Sequence, residues 1–157
     1  MTIGVAETRQ TYLQDPNKPL QLLFGSSRPQ APSAFDIHEL IERGFPSEAV
    51  IAFVQSVNQF KDKQVFVKII GLSERTLHRR IKHPEPLTAE QSSSAWRLAK
   101  VLSKAEDVLG ERQEAVKWMI TPALGLEGRV PLDLLTTEVG FELVDDLLTR
   151  MDYGVYS

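Results

Sequence analysis

The side chains best suited to bind another molecule lie in one basic segment, residues 61–84. Seven lysines and arginines stand there against Asp62 and Glu74, a net charge of +5, whereas the whole chain carries −3. A basic island on an acidic protein attracts phosphate groups and indicates nucleic acid; the alternative is a solvated basic face on an ordinary helical hairpin. The candidate DNA contacts are Lys61, Lys63, Ser73, Glu74, Arg75, Thr76, His78, Arg79, Arg80 and Lys82.

Catalytic or metal-binding residues do not form a convincing set. The three histidines, His38, His78 and His83, are scattered, and the last two have a poor spacing for one helical metal site. The adjacent carboxylates Asp145 and Asp146 diverge on a helix. The chain has no cysteine, which excludes thiolate metal sites and disulfides. We therefore expect no catalytic residue, no metal and no cofactor, and a protein that is not an enzyme.

Two short helices joined by a tight turn are predicted to position the basic side chains. The first spans about residues 62–70, and the second spans about residues 74–82, where Pro84 stops it. Gly71 supplies the freedom that the turn needs, and Ser73 is a good N-cap. A helix-turn-helix places its second helix in the DNA major groove. The apolar positions are Val65, Ile69 and Ile70 in the first helix, and Leu77 and Ile81 in the second.

Residues 1–33 are predicted to form an arm, because prolines and glycine interrupt any periodicity there. Its apolar run, residues 20–24, is equally suited to docking on a partner or on the next helix. Residues 34–110 are predicted to form the helix-turn-helix and dimerisation domain. Three supporting helices are expected there, from Ser33 to Arg43 with Phe35, Ile37, Leu40 and Ile41 as apolar positions, from Pro46 to about Asn58, and from a Thr88–Gln91 capping box to Gly110.

Residues 111–157 differ in charge from the basic segment. They hold nine acids and four bases, a net charge of −5, which argues against DNA contact. Helices are expected over about residues 112–120, 131–135 and 137–151. No segment has the alternation of a strand, so the predicted fold class is all-α. The apolar stripe of the last helix is predicted to comprise Val139, Leu143, Val144, Leu147, Leu148 and Met151.

The chain of 157 residues is long enough to bury a core, and its composition is that of a globular protein. The N-terminus lacks the order of a signal peptide, and no apolar run is long enough to span a bilayer. We therefore expect a soluble cytoplasmic protein that does not contact a membrane.

Several motifs together resemble a known family. The stretches WMITPALG (118–125), GRVPLDLLTTEVG (128–140) and VDDLLTRMDYGV (144–155) resemble the toxin-binding domain of Xre/MbcA/ParS-type antitoxins. The motifs GFP (44–46) and GLSERTLHRR (71–80) resemble the Xre-like helix-turn-helix half of the same proteins. The resemblance implies a bacterial type II antitoxin, and the RES-Xre class in particular. Such proteins neutralise a toxin of the RES-domain or ADP-ribosyltransferase-like class, which acts on NAD⁺. They form dimers or larger complexes with the toxin and repress their own operon.

The resemblance leads to a hypothesis for the C-terminal end. Two tyrosines in so short a tail are good anchors for a partner, so the last helix and tail are predicted to cover the NAD⁺ site of a RES-domain toxin. The equal alternative is that Tyr153 and Tyr156 pack back on their own domain. Trp118 is better interpreted as core. The alternative is a stand-alone dimeric regulator whose C-terminal domain serves oligomerisation. The candidate toxin contacts are Arg129, Arg150, Asp152, Tyr153, Gly154, Val155 and Tyr156.

Overall fold

The computed structural model describes residues 17–31, 33–61 and 63–154, and confirms the predicted all-α class. Within these ranges β pairing is limited to two isolated bridges, and no helix is long and apolar enough to cross a membrane. The helices are α1 (Asn17–Phe24), α2 (Ala34–Arg43), α3 (Ser47–Gln55), α4 (Lys63–Ile70), α5 (Glu74–Lys82), α6 (Ala89–Leu109), α7 (Arg112–Met119), α8 (Pro131–Leu134) and α9 (Glu138–Asp152).

The longest helix, α6, is the element on which both halves of the chain pack. Helices α1, α2 and α4 contact it from the N-terminal half, and α7 and α9 contact it from the C-terminal half. One hydrophobic core therefore includes Phe66 from the basic segment and Val144 from α9. The buried positions of α6 that join the halves are Ala95, Leu98, Ala99, Val101, Leu102 and Ala105.

The helix starts follow from local capping. The Ser33 and Thr88 hydroxyls each accept a hydrogen bond from a backbone N–H three residues later, and both capping boxes are complete. These bonds satisfy N–H groups that a helix start otherwise leaves unpaired. The predicted starts of α2 and α6 are confirmed. Helix α3 is slightly shorter than the predicted span from Pro46 to about Asn58. Pro46 is its N-cap rather than its first residue, and the helix ends at Gln55.

Part of the predicted arm is a core element. Helix α1 buries Leu20 completely and leaves Leu23 only 2% exposed, and it packs on α6 and α3. Lys18 forms an ion pair with Asp107 near the end of α6. The sequence left open whether this apolar run docks on a partner or on the next helix. The structure shows that it docks within the chain, on α6 and α3. Residues 1–16 lie outside the described part.

Two residues predicted to face the core are exposed instead. Phe35 is 81% exposed, because it lies in the first turn of α2, ahead of the buried Ile37. Ile81 is 52% exposed, because the last turn of α5 extends beyond the core that Leu77 contacts.

The loop between α2 and α3 fixes the chain that leaves α5. The Phe45 N–H donates to Ser92 Oγ (2.8 Å), and the Phe45 carbonyl accepts from the Leu87 N–H (2.8 Å). A Cβ at Gly44 would overlap the Leu87 carbonyl oxygen, so only glycine permits this close approach. The loop therefore ties α2 and α3 to the end of the α5–α6 connection and to the first turn of α6.

Candidate functional site

The basic segment forms two helices around a tight turn, as predicted, but the first is wound as a π-helix. Helix α4 buries Val65, Phe66, Ile69 and Ile70, so the prediction of its apolar face omitted only Phe66. The wider winding carries into the turn, where the N–H groups of Gly71 and Leu72 both donate to the Phe66 carbonyl (3.0 and 2.8 Å). Such winding is rare and recurs at functional sites.

The turn between α4 and α5 is fixed at three points. Gly71 has a φ of 89°, which other residues rarely adopt, and its carbonyl accepts from Gln91 Nε2 (3.2 Å). Leu72 is 1% exposed and anchors the turn in the core. The Ser73 hydroxyl accepts from the Thr76 N–H (3.1 Å) and donates to Thr76 Oγ1 (2.9 Å).

Helix α5 lies on the surface and buries no residue. Leu77 is its half-buried contact with the core. The predicted DNA contacts Glu74, Arg75, His78, Arg79 and Lys82 are all exposed, and Thr76 and Arg80 are half-buried. The helix therefore presents its polar side to solvent, as a recognition helix must.

Three of the predicted DNA contacts, Lys63, Glu74 and Arg80, are engaged in ion pairs. Lys63 Nζ lies 3.1 Å from Glu74 Oε1, and Arg80 Nη2 lies 3.2 Å from Glu85 Oε2. The first pair is largely exposed, so it is worth little in water and exchanges readily for a phosphate. Arg80 is only 18% exposed in its side chain, so its pair holds the end of α5 against the following loop.

The other cations of the segment remain available. In the part of the chain that the structure describes, no carboxylate lies within ion-pair distance of Arg75 or Arg79, which are four residues apart on one face of α5. Lys61 and Lys68 are exposed on the α4 side of the turn. This arrangement can bring guanidinium groups to base edges while lysines contact phosphates on either side.

The predicted toxin contacts lie in several environments. Arg150 Nε is 3.3 Å from Asp146 Oδ2, Asp152 is half-buried and Tyr153 is 47% exposed. Arg129 is exposed in the loop before α8, far along the chain from the tail. Gly154 is exposed, and Val155 and Tyr156 lie outside the described residues.

The apolar stripe predicted for α9 is only partly correct. Val144, Leu147 and Leu148 are buried, whereas Val139 is 68% exposed and Leu143 is 51% exposed. The buried face of α9 packs on α6 and on α8. At α8 the approach is so close that a Cβ at position 140 would overlap the Leu134 carbonyl oxygen. Leu124 is 96% exposed, and nothing in the sequence had indicated that this leucine lies on the surface. Trp118 is half-buried and packs on the core, in agreement with its interpretation as core.

The described residues contain no group of three His, Asp or Glu side chains that could hold a metal ion.

The two halves of the chain also touch at the surface, where the Gln64 amide of α4 donates a hydrogen bond to the Asp133 carboxylate of α8. The described surfaces are basic at α5, and apolar and acidic at α9.

Comparison with known proteins assigns both halves. The antitoxin Xre-like helix-turn-helix domain matches residues 36–100. The antitoxin Xre/MbcA/ParS C-terminal toxin-binding domain matches residues 104–154. The boundary between the two matches falls within α6, the helix that both halves share.

The curated relatives of this chain are named as antitoxins. Antitoxin Xre of Yersinia enterocolitica is 38% identical over 96 residues, which are 60% of this chain and 65% of that relative, slightly less than two thirds of its length. Antitoxin Xre of Pseudomonas putida is 29% identical over 127 residues, 80% of this chain and 77% of the relative. A more distant relative, 24% identical over 75% of this chain and 79% of its own length, is the Prs ADP-ribosylating antitoxin of Sphingobium sp.. The two matched domains and these relatives show that the chain belongs to the Xre/MbcA/ParS family of antitoxins.

Proposed function

We propose that this protein neutralises a RES-type toxin that consumes NAD⁺ and represses its own operon. The observation that carries the proposal is the presence of both matched domains on one chain, one for DNA and one for a toxin. The name of the Sphingobium relative supports a toxin that uses NAD⁺, because ADP-ribosylation consumes that molecule. No step of the proposal requires catalysis by this chain.

In the DNA half, α5 enters the major groove, and a dimer sets two such helices roughly 34 Å apart on a palindromic operator. Arg75 and Arg79 reach guanine edges, where a guanidinium makes two hydrogen bonds.

Other cations of the segment contact the phosphate backbone of the DNA. Lys61 contacts phosphate directly, and Lys63 does so after its ion pair with Glu74 breaks. Arg80 contacts the backbone while Glu85 holds it at the end of the helix.

The DNA half is tested with Arg79→Ala in a gel-shift titration on the chain's own promoter. We expect the affinity to fall about 10- to 100-fold, the usual effect of losing one bidentate base contact. The matched control is Arg43→Ala, which removes an exposed arginine of α2 outside the basic segment. Unchanged affinity of the Arg79 variant would remove that residue from the interface.

In the toxin half, α9 and the tail cover the active-site mouth of the toxin and exclude NAD⁺. The supporting features are the exposed Tyr153 and the exposed apolar side chains of α9, all within the matched toxin-binding domain. Arg129, Arg150 and Asp152 supply polar contacts around them, and Gly154, Val155 and Tyr156 continue the chain over the mouth.

The toxin half is tested by co-expression of the toxin with a chain that lacks residues 152–157. We expect growth to be lost although the shortened chain still folds, because the deletion removes the segment that excludes substrate. Full protection by the shortened chain would show that the tail does not block the active site of the toxin.

The second candidate function is a stand-alone dimeric regulator, in which the exposed apolar side of α9 joins two copies. A neighbouring reading frame that encodes a toxin-like enzyme favours the antitoxin, and its absence favours the regulator. Purification with the co-expressed neighbour separates them directly, because only the antitoxin retains that protein.

A further inference from the structure

The outward side of α9 carries a continuous row of side chains that are exposed or half-buried. Val139, Leu143, Asp146, Arg150 and Tyr153 recur at intervals of four and three residues, so they align along one side of the helix. Its three large apolar members are 68%, 51% and 47% exposed. We call Val139, Leu143 and Tyr153 the outer stripe.

The outer stripe differs from the isolated apolar residues that any surface shows. Single exposed hydrophobic side chains are normal, whereas a row of them marks an interaction surface. The 3-10 turn Leu124–Leu126 packs against α9 and adds Leu124, the most exposed large apolar residue in the described part of the chain. These side chains would lose their contact with water only if another surface covered α9.

The charges beside the stripe indicate what covers it. Glu138 and Glu142 are exposed next to Val139 and Leu143, and neither has a hydrogen-bond or ion-pair partner within the described ranges. Asp146 is balanced by Arg150 at 3.3 Å. A second copy docked by the same face would present the same excess of acidic side chains, which is repulsive overall, whereas a partner with a basic rim is attracted.

We propose that the outer stripe is the main docking surface for the toxin, and that it fills an apolar groove with a basic rim on that partner. This inference rests on the proposed function and deepens it, because it assigns most of the binding affinity to the helix and the exclusion of substrate to the tail. Aromatic and aliphatic anchors at the centre of an interface carry most of its affinity, while the rim excludes water.

The test uses the full chain with Val139→Asp and Leu143→Asp combined. The probe is a tagged copy of the protein encoded by the neighbouring reading frame. We expect capture to weaken at least about 100-fold, since two central anchors are lost. Both sites are exposed, and an aspartate at position 139, in the first turn of α9, is favourable, so thermal unfolding should stay close to that of the wild-type chain. The matched control is Phe35→Asp, which places the same charge on an exposed apolar residue of α2.

The outcomes separate the two proposals. A wild-type chain that fails to capture the probe overturns the proposed function itself. Wild-type capture with equal capture by the stripe variant overturns the docking surface alone, as does an equal loss in the Phe35 control. A stripe variant that loses only self-association and still captures the probe identifies a second copy as the occupant and also overturns the inference.

A second variant tests the rim. Replacing Glu138 and Glu142 with lysine should weaken capture about tenfold at low salt, because the attraction to a basic rim becomes repulsion. The effect should shrink as salt screens it. Unchanged or tighter capture would contradict the basic rim.

Discussion

Helices α5 and α9 pack on the same core and present surfaces of contrasting chemistry. Helix α5 buries no residue and exposes cations, whereas α9 buries Val144, Leu147 and Leu148 and exposes apolar and acidic side chains. A cationic helix that is loosely attached suits a polyanion, whose attraction does not require a dry interface. A firmly packed helix with apolar side chains suits a protein groove, which gains affinity from buried area and shape. The proposed DNA surface and the proposed toxin surface thus differ in chemistry as well as in position.

The largest effect that distinguishes the two surfaces should be the dependence on salt. Binding of the operator should weaken by roughly 10³- to 10⁵-fold between 50 and 200 mM salt, as for a dimer that contacts six to ten phosphates. Capture of the toxin should change by less than about tenfold, because buried apolar contacts are not screened. Titrations of both partners on one preparation measure this, and equal slopes would show that the two surfaces do not differ as described.

A smaller effect is expected from adding one methyl group under α9. Gly140→Ala forces that group into the backbone of α8, so we expect a loss of about 1–3 kcal/mol in the free energy of unfolding and weaker toxin capture. The matched variant is Gly71→Ala, where a Cβ meets open space and the cost is the strain of a positive φ, about 1–2 kcal/mol. Urea unfolding compares the two. Wild-type stability of the Gly140 variant would contradict the close packing of α8 and α9.

The smallest effect concerns the cap of α5. Ser73→Ala removes the bond to the Thr76 N–H and should cost about 1 kcal/mol. Because α5 buries no residue, the loss should appear as faster amide exchange in that helix and weaker operator binding. Thr88→Ala is the control, since it removes the same kind of cap from α6, which is held by the core. Equal exchange in α5 for both variants would show that the cap does not hold the recognition helix.

The features that sequence predicted well are local ones. The Ser33, Ser73 and Thr88 caps and the Gly71 turn depend on bonds within a few residues, and the observed helices start where these residues indicate. The exposed positions of α5 followed from its polar composition. The predicted contacts themselves stay predictions until the partners are bound.

The features that sequence did not predict depend on distant parts of the chain. Helix α9 has more apolar residues than one face can hold, and its packing on α6 and α8 leaves Val139 and Leu143 exposed. The packing of α1 depends on α6, where Lys18 meets Asp107. The π-winding of α4 and the pairing of Lys63 with Glu74 likewise arise from the assembled turn.

The most direct test of the account is a double dissociation on full-length chains. Combining Arg75→Ala with Arg79→Ala should abolish operator binding and leave toxin capture within about twofold of wild type, because α5 is outside the toxin surface. Combining Val139→Asp with Leu143→Asp should give the reverse pattern. Loss of both activities in either variant would contradict the assignment of the two partners to separate surfaces.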